Sequence, residues 1–279
     1  MSSPPIARRQ LSAQMRQKRL DAGMTLDDAA EALEWSPTKI SNIETGRSKY
    51  PAVSDIGLLL DTYRVKDPQE KDAILNLTRQ ARQRGWWNRY DDVITGAYTS
   101  LEAGATSLRL YEPQFIPGLL QVSDYTAAVS HATLIRDPDE VDRVVEARAE
   151  RKKILDRTDP PPPDVWAIID EHALRLLGAS DRELHRRQVE HLAEMADAPN
   201  SVTLQVLPTS AGLHAGMGGP FVILDYDEAA ATVFLETNTD GLYLDKAPEI
   251  DRYRRIFDRL VSKAMDPDDV AGYLRSLIA

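Results

Sequence analysis

The sequence predicts a mostly α head of four to five short helices, followed by an α+β domain with a largely antiparallel sheet. Helical periodicity dominates the first 85 residues, and short runs rich in β-branched and aromatic residues begin only near residue 107. A chain of 279 residues is also long enough for two domains. We therefore divide it into a head at residues 1–65, a linker helix at 66–85 and a C-terminal regulatory domain at 86–279.

The composition is that of an ordinary globular protein, with 42% hydrophobic and 28% charged residues. No apolar run approaches the roughly 20 residues that span a bilayer, and the first residues lack the apolar core of a signal peptide. Cysteine is absent, which excludes disulfides, thiolate catalysis and cysteine-based zinc sites. These features predict a cytoplasmic protein with no membrane partner.

The net charge of −10 is unevenly distributed. Residues 1–85 carry 14 Lys and Arg against 11 Asp and Glu, and residues 86–279 carry 20 against 33, which leaves +3 and −13. A mildly basic head on an acidic body indicates that only the head approaches phosphates.

The helices of the head have clear start and stop signals. A first helix covers Arg8 to Leu20. Thr25 is the predicted N-cap of the second helix, with Asp28 three residues later as in a capping box, and Ser36 followed by Pro37 starts the third, which ends near Gly46. Apolar patterns then predict a helix after Pro51 and an amphipathic helix over 69–83.

The second domain alternates between strand and helix patterns. The predicted strands are Ser107–Tyr111, Val165–Asp170, Val202–Leu207, Phe221–Tyr226 and Thr232–Glu236. The predicted helices are Ser123–His131, Glu140–Asp156, Asp181–Ala196 and Ile250–Ala264. A glycine-rich loop joins two of the strands directly, which favours an α+β domain over a doubly wound parallel sheet.

The second and third helices of the head form a helix-turn-helix. Their apolar residues pack the two helices together, which leaves the polar face of the third helix free for the major groove. Asn42 could pair with an adenine edge, and Thr38 could use its hydroxyl or methyl group. Backbone N–H groups near Thr25 could bind a phosphate. The predicted DNA-binding residues are Thr25, Ser36, Pro37, Thr38, Lys39, Ser41, Asn42, Arg47 and Lys49. The alternative is a helical bundle with accidental spacing.

Residues 11–65 resemble the Cro/C1-type helix-turn-helix of xenobiotic-response-element-like bacterial regulators. The resemblance rests on Leu26–Ala30, on Ser36-Pro37 through Ser41, and on Ile43-Glu44-Thr45-Gly46-Arg47. It implies an internal pair between Arg19 and Glu44. Glu34 departs from the family, which has glycine in this turn, and a left-handed non-glycine residue costs about 1–2 kcal/mol.

Residues 86–275 resemble the C-terminal domain of actinobacterial antitoxin-like (WhiJ-like) transcription regulators. The dispersed motifs that carry this resemblance include Gly85-Trp86-Trp87, Tyr111-Glu112-Pro113, Ile116–Gln121, Ala147-Arg148 with Arg151, Val206-Leu207-Pro208 and Gly219-Pro220-Phe221. The resemblance implies transcription regulation, usually beside a gene for a small partner protein. It implies no ligand or catalytic residue.

Five residues are candidates for a ligand or partner site: Trp86, Trp87, Arg148, Arg151 and His214. The tryptophans either wedge the linker helix onto the second domain or line a pocket. The arginines either clamp acidic groups across a partner surface, or lie on a solvated face or in an ion pair within the domain. His214 lies in the loop Gly212–Gly219, which either cradles an anion or is a flexible connection.

The sequence thus predicts a sequence-specific DNA-binding transcription regulator, with a C-terminal domain that senses a small partner protein or ligand. We expect a homodimer on a double-stranded operator, because one recognition helix reads too few base pairs. The protein would associate with the nucleoid when bound to DNA. The alternative is an antitoxin-like protein that mainly neutralises a small partner. No residues form a convincing catalytic or metal site, so we expect neither enzyme activity nor a cofactor.

Overall fold

A computed structural model describes residues 4–48, 50–83, 85–90, 92–94, 96–198, 201–227, 229–237 and 241–279. The chain divides into two compact units, Met1–Asn88 and Arg89–Ala279. No helix within the described residues has the length and apolar character needed to cross a bilayer.

The first unit is the helical head that the sequence predicts. Its helices are α1 (Pro4–Asp21), α2 (Leu26–Leu33), α3 (Pro37–Glu44), α4 (Val53–Thr62) and α5 (Pro68–Ala81). Leu11 and Met15 of α1 pack with Ile40 of α3 and with Leu59 and Leu60 of α4 in one buried core.

Helix α5, which the sequence assigns to the linker segment 66–85, packs against α1 and α4. Its Ile74 and Ala81 are buried in the core of the head. Asp67 caps its start by accepting the Gln69 N–H at 2.9 Å. The helix is therefore part of the head's hydrophobic core in addition to preceding the second unit.

The second unit combines a sheet with helices on both of its faces. Its strands are β1 (Ser107–Glu112), β2 (Asp164–Asp170), β3 (Val202–Leu207), β4 (Phe221–Asp225), β5 (Thr232–Glu236) and β6 (Gly241–Leu244). Its helices are α6 (Gly96–Ala103), α7 (Ser123–Ala132), α8 (Pro138–Lys152), α9 (Glu171–Ser180), α10 (Arg182–Asp197), α11 (Ala247–Val261) and α12 (Pro267–Ser276).

Within the described residues the six strands form one mixed sheet in the order β3-β2-β1-β4-β5-β6. The β1–β4, β4–β5 and β5–β6 pairs are antiparallel, and the β1–β2 and β2–β3 pairs are parallel. The predicted α+β class with a mostly antiparallel sheet is confirmed. The parallel pairs arise because β1, β2 and β3 are joined through helices, whereas β3 and β4 are joined by a loop.

Two apolar layers cover the sheet. On one face, Leu108 and Leu110 of β1 pack with residues of α7, α9, α10 and α12. On the other face, Tyr111 packs with Phe257 and Leu260 of α11. Because successive strand residues point to opposite faces, Glu112 follows Leu110 to the first face.

Candidate nucleic-acid interface

Local hydrogen bonds fix the start of α2, and a left-handed residue forms the turn that follows it towards α3. Thr25 Oγ1 accepts the Asp28 N–H at 3.1 Å, and the Thr25 N–H donates to the Asp28 carboxylate at 2.8 Å, which completes a capping box. Glu34 ends α2 in the left-handed conformation, with φ of 54°. The turn therefore takes the shape that glycine provides more easily, and the helical core offsets the cost.

Helix α3 starts where the sequence places it. Ser36 Oγ accepts the Lys39 N–H at 3.3 Å, and Pro37 occupies the first helical position. Ile40 and Ile43 are buried, at 0% and 4% exposure, and they hold one face of the helix against the core. The opposite face is consequently directed outward.

The outward face carries the predicted base-reading residues. Thr38 is exposed, and Ser41 and Asn42 are half-buried. Neither Thr38 nor Asn42 uses its side chain in a hydrogen bond with any residue that the structure describes. These donors and acceptors are available to base edges in the major groove.

Lys39 lies on the same helix but is directed back to the protein. Its Nζ atom lies 2.9 Å from Oδ2 of Asp55, in the first turn of α4. The same atom lies 3.5 Å from the centroid of the Trp35 ring. The ammonium group thus has an ionic and an aromatic partner before any DNA approaches.

An open groove of about 410 Å³ runs beside α3. It lies between the recognition helix, the following loop and the start of α4. The lining residues are Ser36, Thr38, Lys39, Asn42, Ile43, Ser48, Tyr50, Pro51, Ala52 and Asp55. The side chains predicted to read bases therefore share one concave surface with Asp55.

The remaining predicted contacts flank this surface. Arg47, beyond the end of α3, is exposed and forms no hydrogen bond with the described residues. Lys49, also predicted to bind DNA, lies outside the described residues. The Thr25 N–H already donates to the Asp28 carboxylate. A phosphate at the start of α2 would therefore bind the backbone N–H groups that follow Thr25.

Arg19 and Glu44 form a buried ion pair beneath the recognition helix. Arg19 Nε donates to Oε1 of Glu44 at 2.8 Å, and Nη2 donates to Oε2 at 2.8 Å. Arg19 Nη1 also donates to the Met24 carbonyl at 2.7 Å, and the Tyr63 hydroxyl donates to Glu44 at 3.2 Å. The pair joins α1 to the last turn of α3.

Trp86 and Trp87 lie at the end of the first unit. Their rings meet edge to face with centroids 6.0 Å apart, and Trp87 is buried. Trp87 folds back over Gly85, where a Cβ atom would lie 2.2 Å from its ring. A side chain at position 85 would therefore require the Trp87 ring to move.

In the second unit Arg151 forms a buried ion pair with Glu102. Its Nε and Nη2 atoms donate to the two carboxylate oxygens of Glu102, each at 2.8 Å, and Glu102 is only 2% exposed. Tyr98 also donates its hydroxyl to Glu102 at 2.9 Å. Burial lowers the pKa of Arg151, but the Glu102 carboxylate outweighs burial and raises it. Arg151 is thus an internal ion pair, the plainer of the two sequence interpretations.

Arg148, one turn earlier, forms no hydrogen bond with the described residues. Its Nη1 atom lies against Gly118, 2.5 Å from where a Cβ atom would stand. Burial and then the neighbouring Arg151 lower its pKa, and the carboxylates of Glu236, Glu102 and Glu112 oppose this. Burial, followed by Glu236, raises the pKa of Glu112 to about 8.

His214 belongs to the other side of the sheet. Its ring packs on Tyr111 with centroids 6.0 Å apart, and its Nδ1 accepts the Gly216 N–H at 3.2 Å. Tyr111 and Glu112 point to opposite faces, so His214 does not join Arg148 and Arg151 in one site. His214 and the two arginines therefore belong to separate places in the second unit, and a ligand or partner role at either place stays a prediction.

The sequence did not predict the acidic residues that strand pairing and loops bring next to Arg148 and Lys39. Glu112 and Glu236 reach Arg148 because β1 and β5 end at the same edge of the sheet. Asp55 reaches Lys39 across the loop after α3. The motif Tyr111-Glu112-Pro113 was the available signal for Glu112; no local pattern indicated Asp55.

Comparison with known proteins agrees with this division. A helix-turn-helix domain model matches residues 10–74, and the model of a domain of unknown function, DUF5753, matches residues 95–276. No curated protein and no solved structure matches the chain.

Proposed function

From the premise that this chain belongs to the DUF5753 family and carries an N-terminal helix-turn-helix domain, we propose that it is a sequence-specific transcription regulator that binds an operator in double-stranded DNA. The head would act as a Cro/C1-type reader, and the second domain as that of actinobacterial antitoxin-like regulators. The protein would act in the cytoplasm and associate with the nucleoid when bound. It would not be an enzyme.

The observation that carries this proposal is the outward face of α3. Thr38 and Asn42 offer unengaged polar groups on a helix whose start is fixed by Ser36 and whose back is fixed by buried isoleucines. Helices of this kind read base edges in the major groove. The head carries a charge of +3, which favours approach to phosphates.

The active form would be a homodimer. One recognition helix contacts only a few base pairs, and specific affinity requires two half-sites about one helical turn apart. The second domain, with its charge of −13, is repelled by phosphates and is available for protein or ligand contacts.

We also propose that the second domain senses a ligand or a small partner protein. Arg148 supports this role, because it is a largely enclosed guanidinium that forms no hydrogen bond with the described residues. The alternative is an antitoxin-like protein whose main task is to neutralise a small partner. Genome-wide binding is measured with and without the product of the neighbouring gene. A change in the occupied operators favours sensing, and unchanged occupancy favours the antitoxin-like alternative.

The DNA-binding proposal is tested with the double variant Thr38→Ala and Asn42→Ala. Operator duplexes selected from a random library would be bound by the parent with clear preference over a scrambled duplex. Base contacts are worth about 1–3 kcal/mol each, so the double variant should lose most of that preference, while its melting temperature changes little. Thr62→Ala with Asn76→Ala, on α4 and α5, is the matched control. Unchanged operator preference in the first variant would show that α3 is not the reading helix.

A further inference from the structure

A lysine on a DNA-reading helix would ordinarily bind phosphates, yet Lys39 is held by two protein groups. Asp55 contacts its Nζ atom at 2.9 Å, and the Trp35 ring lies beneath it at 3.5 Å. Trp35 precedes α3, and Asp55 lies in α4. Lys39 keeps 40% of its side chain exposed, so the arrangement could open towards DNA.

Asp55 is an acidic residue in the groove beside α3. It shares the lining with Thr38 and Asn42, and its side chain is 25% exposed. The first turn of α4 stabilises a carboxylate, because the N-terminus of a helix carries partial positive charge. A carboxylate left unpaired next to DNA phosphates would be repelled, and its pairing with Lys39 removes that repulsion.

We infer that Asp55 is a specificity-determining residue that withholds Lys39 from the phosphates. This inference rests on the proposed function and deepens it. Lysine–phosphate contacts are formed with every sequence, so they strengthen non-specific binding as well as operator binding. If Lys39 moved to a phosphate, Asp55 would be left unpaired beside the DNA. The arrangement therefore suppresses a sequence-independent contact and leaves discrimination to Thr38 and Asn42.

The pairing of Lys39 with Asp55 should weaken binding to non-specific DNA more than binding to the operator. On a scrambled duplex the protein can shift until a phosphate meets a released Lys39. On the operator, base contacts fix the register, so a released Lys39 gains a contact only if a phosphate already lies within reach. Removing the carboxylate should consequently lower the ratio of operator to scrambled affinity.

The experiment measures binding of the full chain to selected and scrambled duplexes over a series of KCl concentrations. Asp55→Asn should tighten binding to the scrambled duplex several-fold, and its salt slope should steepen by about 0.9, the value of one added phosphate contact. Asp55→Glu keeps the charge and should behave like the parent. Asp61→Asn is the matched control, because Asp61 also pairs with a lysine, Lys71, outside the groove.

Lys39→Met distinguishes a released lysine from a simple loss of negative charge. In the parent background it leaves Asp55 unpaired, so it should weaken binding to both duplexes, but it removes no phosphate contact and the salt slope should fall by much less than about 0.9. Combined with Asp55→Asn, it should abolish the steeper slope. A fall of about 0.9 on Lys39→Met alone would mean that Lys39 already binds a phosphate, which would overturn the inference. An unchanged slope in Asp55→Asn would also overturn it. If the parent itself shows no preference for any selected duplex, the proposed function fails instead.

Discussion

Arg19 and Glu44 join α1 to the last turn of α3 through a single buried ion pair. Arg19 is 8% exposed and Glu44 is 7% exposed, so both charges are largely removed from water. Burying two charges is unfavourable unless their hydrogen bonds are complete, and the Met24 carbonyl and the Tyr63 hydroxyl complete them here. A resemblance between sequences indicated the pair; the sequence pattern alone did not show its third member, Tyr63.

The replacement Arg19→Met should destabilise the head by about 3–5 kcal/mol, because it leaves the Glu44 carboxylate buried without its cation. Adding Glu44→Leu should recover much of this loss, and adding Tyr63→Phe should recover more, since the hydroxyl then no longer needs an acceptor. Urea unfolding of the three variants measures this order, and operator affinity should follow it. If Arg19→Met unfolds at the parent's urea concentration, the pair contributes no net stability.

At the scale of the elements, Glu171 links three segments of the second unit. At the start of α9, it accepts the Thr209 N–H from the loop after β3 at 2.7 Å and the Tyr273 hydroxyl from α12 at 2.7 Å. Arg175 of α9 also donates to it at 2.7 Å. Burial tends to raise the pKa of Glu171, but these hydrogen bonds outweigh burial and lower it to about 2.

Glu171→Gln should lower the free energy of unfolding of the second unit by at least about 1.5–3 kcal/mol at neutral pH, because an amide accepts fewer of these donors. The carboxylate is more acidic in the folded state, so its contribution is complete above the usual pKa of 4.5 and is lost as the pH falls towards 2. The stability curves of parent and variant should converge over this window. Calorimetry from pH 2 to 7 measures it, with Glu190→Gln on α10 as the control; parallel curves would contradict the assignment.

Elements with local signals were predictable from the sequence, and those defined by distant contacts were not. The caps at Thr25 and Ser36 are local, so the starts of α2 and α3 were predicted correctly. Strand β6 is a four-residue edge strand with little buried surface, and α9 follows β2 directly with no intervening loop. The sequence predicted neither, because β6 is too short to show an alternating pattern and the apolar residues of α9 continue directly from those of β2. The ion pairs of Arg151 and Lys39 depend on residues more than 15 positions away.

At the scale of the whole molecule, the two units differ in net charge, and each has its own hydrophobic core. The first unit has its own apolar core and a charge of +3, and the second has a sheet with two apolar layers and a charge of −13. Each therefore has what an independent domain requires. Helix α5 adds buried residues to the head core, so a fragment ending at residue 65 would lose them.

Separate fragments of residues 1–88 and 89–279 should each fold with a cooperative thermal transition. The first should bind the operator weakly, because a monomer engages one half-site and loses the linkage of two reading helices. The second should not bind DNA at any salt concentration, since its negative charge is repelled by phosphates.

A fragment of residues 1–65 should melt at a lower temperature than 1–88, because Ile74 and Ala81 no longer cover the core. Sedimentation measures the oligomeric state of each fragment, and fluorescence anisotropy on the same samples measures its binding to DNA. Operator binding by a monomeric 1–88 fragment as tight as that of the full chain would show that the second unit contributes nothing to dimerisation on DNA.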